Sequence, residues 1–398
     1  MTTSMRKHTV LCGVDQPDRL SDYLRGKRVA LLTAASGVNK RGIPTYDVLR
    51  EVGCDLRILF SPEHGLYSAL QDGKFGDTDG IHPGTGARLY SLGSAGHPSL
   101  TSLLEEVDIA VYDIQDVGAR FYTYLCNLTQ LMRACRAAGK PLLVLDRPNP
   151  IGGRSMEGLI LDESRFSSFV GEFSVPTRYG LTVGEYAAWA NTERSIGCDL
   201  HILPCRGWAR DMYMDETDLL WVNPSPNIPS VSTCFNYIGT CLYEASNISE
   251  GRGTTRPFDW IGAPFLDENA LWHRMSELTL PGVTFRPICF TPMFNKCAGE
   301  TCRGLELHVT DRETYSPFRT MLYMLRYIKE YPETTLRRDG LALRVGQDVL
   351  FDDYDPETLL RRNETALWNF GENVEKYRLY PESLSDNREN FTQSAETP

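Results

Sequence analysis

No run of about 18 apolar residues occurs anywhere in the 398-residue chain, so no segment reads as a membrane-spanning helix. Bases are outnumbered, 41 against 52 acids, and form no long tract. The net charge of −11 therefore argues against nucleic acid and anionic membrane surfaces as partners. Histidine is sparse: seven residues lie far apart, with no HExxH pair, which argues against a metal centre. No GxGxxG follows a strand-like run and no GxxxxGK[ST] is present, so neither a dinucleotide nor a nucleoside triphosphate site is expected, and no cofactor is implied. The absence of a GxSxG elbow argues against an esterase of the nucleophile-elbow type. Eleven cysteines form no CxxC, and Cys126, Cys135 and Cys241 sit inside apolar patterns as small hydrophobes, which favours a reducing compartment. Near the N-terminus the longest apolar-leaning run is residues 9–14, too brief for a signal-peptide core, and the expected location is cytoplasmic.

The 41% apolar content is ample for sizeable cores, and the length suggests two or three domains. Strand-like runs at residues 27–33 (KRVALLT), 54–61, 107–113 (VDIAVYD), 140–146 (KPLLVLD) and 200–204 are separated by helical patterns at 44–52, 125–138 and 184–193. Strands alternating with helices predict a doubly wound α/β layer fold. Three prolines within residues 221–230 (WVNPSPNIPS) mark a turn-rich crossing, after which the pattern changes. Helices at 269–277, 317–331 and 356–377 and strands at 283–290 and 305–310 predict a smaller α+β unit. The expected organisation is an arm over 1–25, a catalytic domain over 26–231, an α+β domain over 232–382 and a polar, disordered tail over 383–398.

The chemistry concentrates in residues 54–66 (CDLRILFSPEHGL). A nearly continuous apolar run there reads as a strand buried on both faces, and Pro62 and Gly65 end it in a tight turn carrying Glu63 and His64. In parallel α/β sheets the carboxyl ends of strands form the ligand-binding edge. The other polar strand ends, DIQDVGARFYTY and DRPNPIGG, bring Asp113, Asp116, Arg120, Tyr122, Tyr124, Asp146 and Arg147 toward the same edge. Carboxylates, arginines and tyrosines gathered in this way suggest a sugar or polyol site. Asp146 and Arg147 equally suit an ion pair bracing a loop, and Asp113 and Asp116 equally suit capping of a helix starting near Ala119. The acidic tract at 72–82 (DGKFGDTDGIH) resembles a calcium loop only in composition.

The ordered motifs LLTAASGV, LFSPEHGL, VYDIQDVGARFYTY, VLDRPNPIGG, EGLIL, RYGLTVGE, LPCRGWAR, WVNPSPNIP, SEGRGTTRPFDWIGAP and HVTDR resemble those of the exo-β-N-acetylmuramidase family NamZ, from about Arg25 to Tyr380. The resemblance implies a Rossmann-like N-terminal domain, a smaller C-terminal domain, and a cleft between them that releases N-acetylmuramic acid (MurNAc) from the non-reducing end of peptidoglycan fragments. Glu63 matches the family's cleft glutamate and is the candidate catalytic acid, with His64 beside it. Asp116 or Asp113 is a candidate to activate water or orient the sugar's acetamido group, with Tyr122, Tyr124 and Tyr179 as alternatives. Arg120, Arg147 and Arg252 are candidates for the lactyl carboxylate, and Asn227 and Thr254 for further substrate contacts. Two departures lie beside this cleft: Ala34 stands where the family typically has asparagine, and residues 66–69 (LYSA) lack the arginine-glycine that often follows EHG. The rival classes are a non-catalytic cell-wall sugar-binding protein and a muropeptide esterase or amidase on the same scaffold.

Overall fold

The computed structural model describes residues 7–71, 73–74, 80–93 and 98–384. Its larger sheet contains β1 (Arg28–Thr33), β2 (Asp55–Ser61), β3 (Gly80–Ile81), β4 (Arg88–Ser91), β5 (Ile109–Asp113), β6 (Leu142–Leu145) and β7 (Leu200–Leu203) in the order β3-β4-β2-β1-β5-β6-β7. All neighbours pair in parallel except the short β3, which runs antiparallel to β4. The six parallel strands, counted along the chain, fall in the order 3-2-1-4-5-6 of a dinucleotide-binding fold, reversing between β1 and β5. Every residue of β5 and β6 is buried, which is why these strands read as unbroken apolar runs.

The crevice at the reversal point is filled by protein. Gly37 lies so close that a β-carbon there would stand 2.0 Å from Thr33 Oγ1 and 2.8 Å from the Asp113 carbonyl oxygen. Thr33 Oγ1 donates to that carbonyl at 2.8 Å, and the Asp113–Arg147 ion pair occupies the space beyond. Residues 7–25, expected as an arm, are tied into the body: Leu11 N–H bonds Arg206 O at 2.9 Å, Gly13 N–H bonds Asp146 O at 3.0 Å, and a helix follows at Pro17–Leu24.

The second half carries β8 (Trp260–Ala263), β9 (Val283–Phe290) and β10 (Cys302–Val309) in an antiparallel sheet ordered β8-β10-β9. Helices Val231–Thr240 and Pro317–Ile328 cross closely at Gly239, where a β-carbon would meet Pro317 O at 2.4 Å. Helix Val231–Thr240, the 3-10 turn Cys241–Ala245 and helix Arg338–Val345 were not predicted. The first two are buried nearly all round although Val231–Thr240 carries Ser232, Thr233, Asn236 and Thr240 among its apolar residues, so their sequence does not read as a core helix. The helix expected over 125–138 runs Tyr124–Ala138 with Thr123 at its N-cap, so Asp113 and Asp116 do not cap it. Most of the acidic tract at 72–82 and the tail from 385 lie outside the described residues. Among the described residues no helix is long and apolar enough to cross a membrane.

Candidate active site

Beyond the carboxyl end of β2 the chain turns sharply. His64 and Gly65 both adopt left-handed backbone, at φ 73° and 76°, and Gly65 N–H closes the turn on Pro62 O at 3.1 Å. A left-handed conformation is strained for histidine, so the surroundings must hold it. They do so through His64 N–H to Lys74 O at 3.1 Å and the ring Nδ1 against Leu70 O at 2.7 Å. Because Nδ1 faces a carbonyl oxygen it must carry the proton. The turn presents the Glu63 carboxyl to a cleft of about 270 Å3 between the two halves of the chain. Gly73 N–H donates to Glu63 Oε1 at 2.6 Å and Thr123 Oγ1 donates to Oε2 at 2.9 Å. Two donors from different loops fix the carboxyl in place.

The N-terminal half contributes Glu63, His64, Tyr122, Thr123 and Asn227 to the cleft wall. Asn227 Nδ2 donates to Gln71 Oε1 at 2.9 Å. Tyr122 packs edge-on to Tyr124 and Tyr237, with centroids at 4.6 and 6.1 Å, and its buried hydroxyl faces Ser225 and Tyr124. Tyr124 lies beneath it and donates to Pro224 O at 2.6 Å.

The opposite wall is ionic. Arg252 and Arg344 both grip Glu244, Arg344 Nε at 2.9 Å and Arg252 through Nη2. Arg252 Nη1 also donates to Glu250 Oε1 at 2.8 Å, and its guanidinium lies 4.8 Å from the centre of the Phe258 ring. Lys296 Nζ meets the other oxygen of Glu250 at 2.6 Å. Burial alone would raise the Glu244 carboxyl, but the charges of Arg252 and Arg344 prevail and hold it well below its usual value. Among the described residues this cluster joins Arg252, Arg344 and Lys296 to Glu244 and Glu250. Glu244, Arg344 and Lys296 were not singled out from the sequence. The available signal was a glutamate inside the apolar run CLYEA, since a charge so placed needs a cationic partner.

Other predicted site residues lie outside the cleft lining. Arg147 forks onto Asp113 through Nε at 2.6 Å and Nη2 at 2.8 Å, while Thr45 donates to the same carboxylate and Nη2 also reaches Val38 O. Burial acts to lower the Arg147 guanidinium, yet the Asp113 charge outweighs it and the net direction is upward. Asp146 accepts from Arg147 N–H, Gly184 N–H, Thr182 Oγ1 and Tyr380, capping the helix Val183–Glu193 rather than pairing with a base. Asp116 accepts from Gly118 N–H at 2.7 Å and from Tyr179; burial pushes its carboxyl up to about 6. Arg120 donates to Leu159 O, Val175 O and Arg344 O, and burial without a carboxylate partner lowers it to about 9. It holds the backbone of a cleft residue from behind. Thr254 Oγ1 closes its own turn on Gly251 O at 2.6 Å.

The two halves match, in turn, the family models for the N-terminal domain of exo-β-N-acetylmuramidase NamZ, over residues 29–232, and for its C-terminal domain, over 235–380. The chain is 41% identical over 388 residues to the peptidoglycan β-N-acetylmuramidase NamZ of Bacillus subtilis (strain 168), covering 94% of this chain and 92% of that one. Two crystal structures of DUF1343 family proteins from Bacteroides fragilis NCTC 9343 share the fold. One has TM-score 0.85 at 29% identity, the other 0.76 at 27%, each covering 94% of this chain and 99% or more of the other. The paired domains, the interdomain cleft headed by Glu63 and a likeness that spans nearly the whole length lead to one conclusion: this chain belongs to the exo-β-N-acetylmuramidase NamZ family.

Proposed function

We propose that this protein is a glycosidase that removes MurNAc from the non-reducing end of peptidoglycan fragments, with Glu63 as the general acid. The observation that carries this reading is the pairing of a fixed carboxyl, Glu63, on one wall of the cleft with two arginines, Arg252 and Arg344, on the other. MurNAc differs from N-acetylglucosamine (GlcNAc) by a lactyl ether bearing a carboxylate. A protein of net charge −11 repels that anion at long range, so recognition falls to short-range cations. Arg252 and Arg344 supply them, in a fork geometry suited to carboxylate. A cleft of about 270 Å3 lies at the small end of the roughly 300–1,000 Å3 range for ligand sites. Such a space suits one terminal sugar, as an exo-acting enzyme requires.

Glycoside cleavage needs a proton for the departing oxygen and a second group to support the oxocarbenium-like centre. Glu63 gives the proton. Glu244 is the other carboxylate in the described lining, and its two arginines commit it to charge pairing. On this reading the second role falls to the substrate's own acetamido oxygen, with the Tyr122 hydroxyl in the cleft wall placed to orient it. The eleven free cysteines support action in a reducing compartment, on imported muropeptide sugars. Hydrolysis of paired chromogenic MurNAc and GlcNAc glycosides tests the proposal: release from the MurNAc glycoside alone is expected. Binding of MurNAc without turnover would favour the sugar-binding alternative.

A further inference from the structure

Six of the eleven cysteines are neighbours in three pairs, Cys12 with Cys205, Cys135 with Cys198, and Cys297 with Cys302, and the Cys297 thiol donates to Asn247 O at 3.9 Å. Both members of the first two pairs are buried. The third is open at one end. Cys302, the first residue of β10, is wholly buried with Ile288 and Phe290, while half-buried Cys297 packs onto that cluster from the loop joining β9 to β10.

That loop is held in an unusual shape. Asn295 and Cys297 have φ of 69° and 55°, a region in which residues carrying a β-carbon are strained. Glu300 N–H returns to Cys297 O at 3.0 Å, and Gly299 N–H to Pro292 O at 2.9 Å. Between the two strained residues, Lys296 Nζ donates to Tyr243 O at 2.6 Å, Ile248 O at 2.9 Å and Glu250 Oε2 at 2.6 Å. Glu250 in turn holds Arg252 in the cleft. Cys297 is thus the immediate neighbour of the cation seated behind the cleft's arginine.

We propose that Cys297 and Cys302 are an oxidisable dithiol site that takes a low-molecular-weight disulfide, such as oxidised glutathione, and closes to an intramolecular disulfide that pins the Lys296 loop. Cys297 is the attacking residue because it alone of the six is within reach of solvent. The hydrogen bond from Cys302 lowers its thiol, against the opposing effect of burial. The Cys297 thiolate bonds to one sulfur of the small disulfide and releases one glutathione thiolate. The Cys302 thiolate then displaces the second glutathione from Cys297. Two protein S–H bonds are exchanged for one S–S bond, and the small disulfide is reduced to two thiols that take up both protons. The link to the cleft rests on the role given to Arg252 above; the site itself does not.

The test is to incubate the folded protein with oxidised glutathione, alkylate the remaining thiols, map the disulfides by mass spectrometry, and follow tryptic cleavage after Lys296. The expected result is loss of the Cys297 and Cys302 thiols together, a linked Cys297–Cys302 peptide, severalfold slower cleavage at Lys296, and reversal by dithiothreitol. Cys297→Ser, at the more exposed position, should keep its fold by circular dichroism and leave Cys302 a free, alkylatable thiol, whatever glutathione the exposed Cys289 takes up. Persistent glutathione on Cys297 with Cys302 free, prior oxidation of a buried pair, both Cys297 and Cys302 left as thiols, or unchanged cleavage in the linked protein would each overturn the proposal. None of these readouts involves glycoside hydrolysis, so their failure would leave the muramidase reading untouched.

Discussion

Replacing Arg147 with methionine removes a guanidinium that is 4% exposed from Asp113, whose side chain is fully buried. The carboxylate loses two of its charge-assisted donors and keeps the Thr45 hydroxyl, while Val38 O loses its contact with Nη2. Removing one partner of a buried pair destabilises by about 3–5 kcal/mol, chiefly because the remaining charge stays buried. At about 1.4 kcal/mol per decade, the folded-to-unfolded ratio should fall by roughly two to three and a half powers of ten. Urea unfolding followed by tryptophan fluorescence reads this directly as a lower midpoint. An unpaired buried carboxylate sheds its charge by binding a proton, so the deficit should narrow at acid pH. Arg147→Lys, which keeps the charge but not the fork, should fall between wild type and methionine. The preference for MurNAc over GlcNAc glycosides should not change in whatever fraction folds. Wild-type stability together with an altered preference would refute the reasoning and put this guanidinium on the substrate.

Arg252→Met should reduce discrimination between MurNAc and GlcNAc glycosides by roughly 10- to 150-fold, the equivalent of about 1.5–3 kcal/mol for a charge-assisted contact. Glu244 keeps Arg344 and Glu250 keeps Lys296, so the variant should still fold; an unchanged preference would point to Arg344 as the selective group. Asp116 is raised from 3.8 to about 6 by burial, so its contribution to stability is complete below the unfolded value near 4 and is lost as the pH rises through about 6. Unfolding free energy should therefore drop by up to about 3 kcal/mol across that window, and Asp116→Asn should flatten the slope. A variant with the wild-type slope would assign it to other groups. Activity should survive dialysis against a strong chelator, since no His, Cys, Asp or Glu cluster suited to a metal occurs among the described residues. Loss restored by one divalent ion would contradict this.

Where the sequence was legible, a local signal matched the final packing. The apolar runs of β1, β2, β5 and β6 are buried on both faces, and Pro62 with Gly65 marked the turn that presents Glu63. Strand β9 was bounded at the same residues, Val283–Phe290, because its alternation survives to the surface. The ends of the parallel strands were correctly read as polar, but polarity does not reveal direction. Arg147 and Asp146 turn into the body to close an ion pair and a helix cap, and only tertiary placement separates such residues from those facing the cleft. Glu244 and Arg344 are 100 residues apart and meet through the fold of the C-terminal half, a pairing that no local pattern encodes.

The most direct test of the central claim is the turnover of Glu63→Gln. The amide keeps the size of the side chain and one oxygen for the Gly73 N–H, and its NH2 can donate to Thr123 Oγ1, so the local geometry is preserved while the transferable proton is lost. The account predicts a wild-type unfolding profile, KM for a MurNAc glycoside within a few-fold of wild type, and kcat lower by about 100-fold or more. A folded Glu63→Gln enzyme that turns over near the wild-type rate would contradict it.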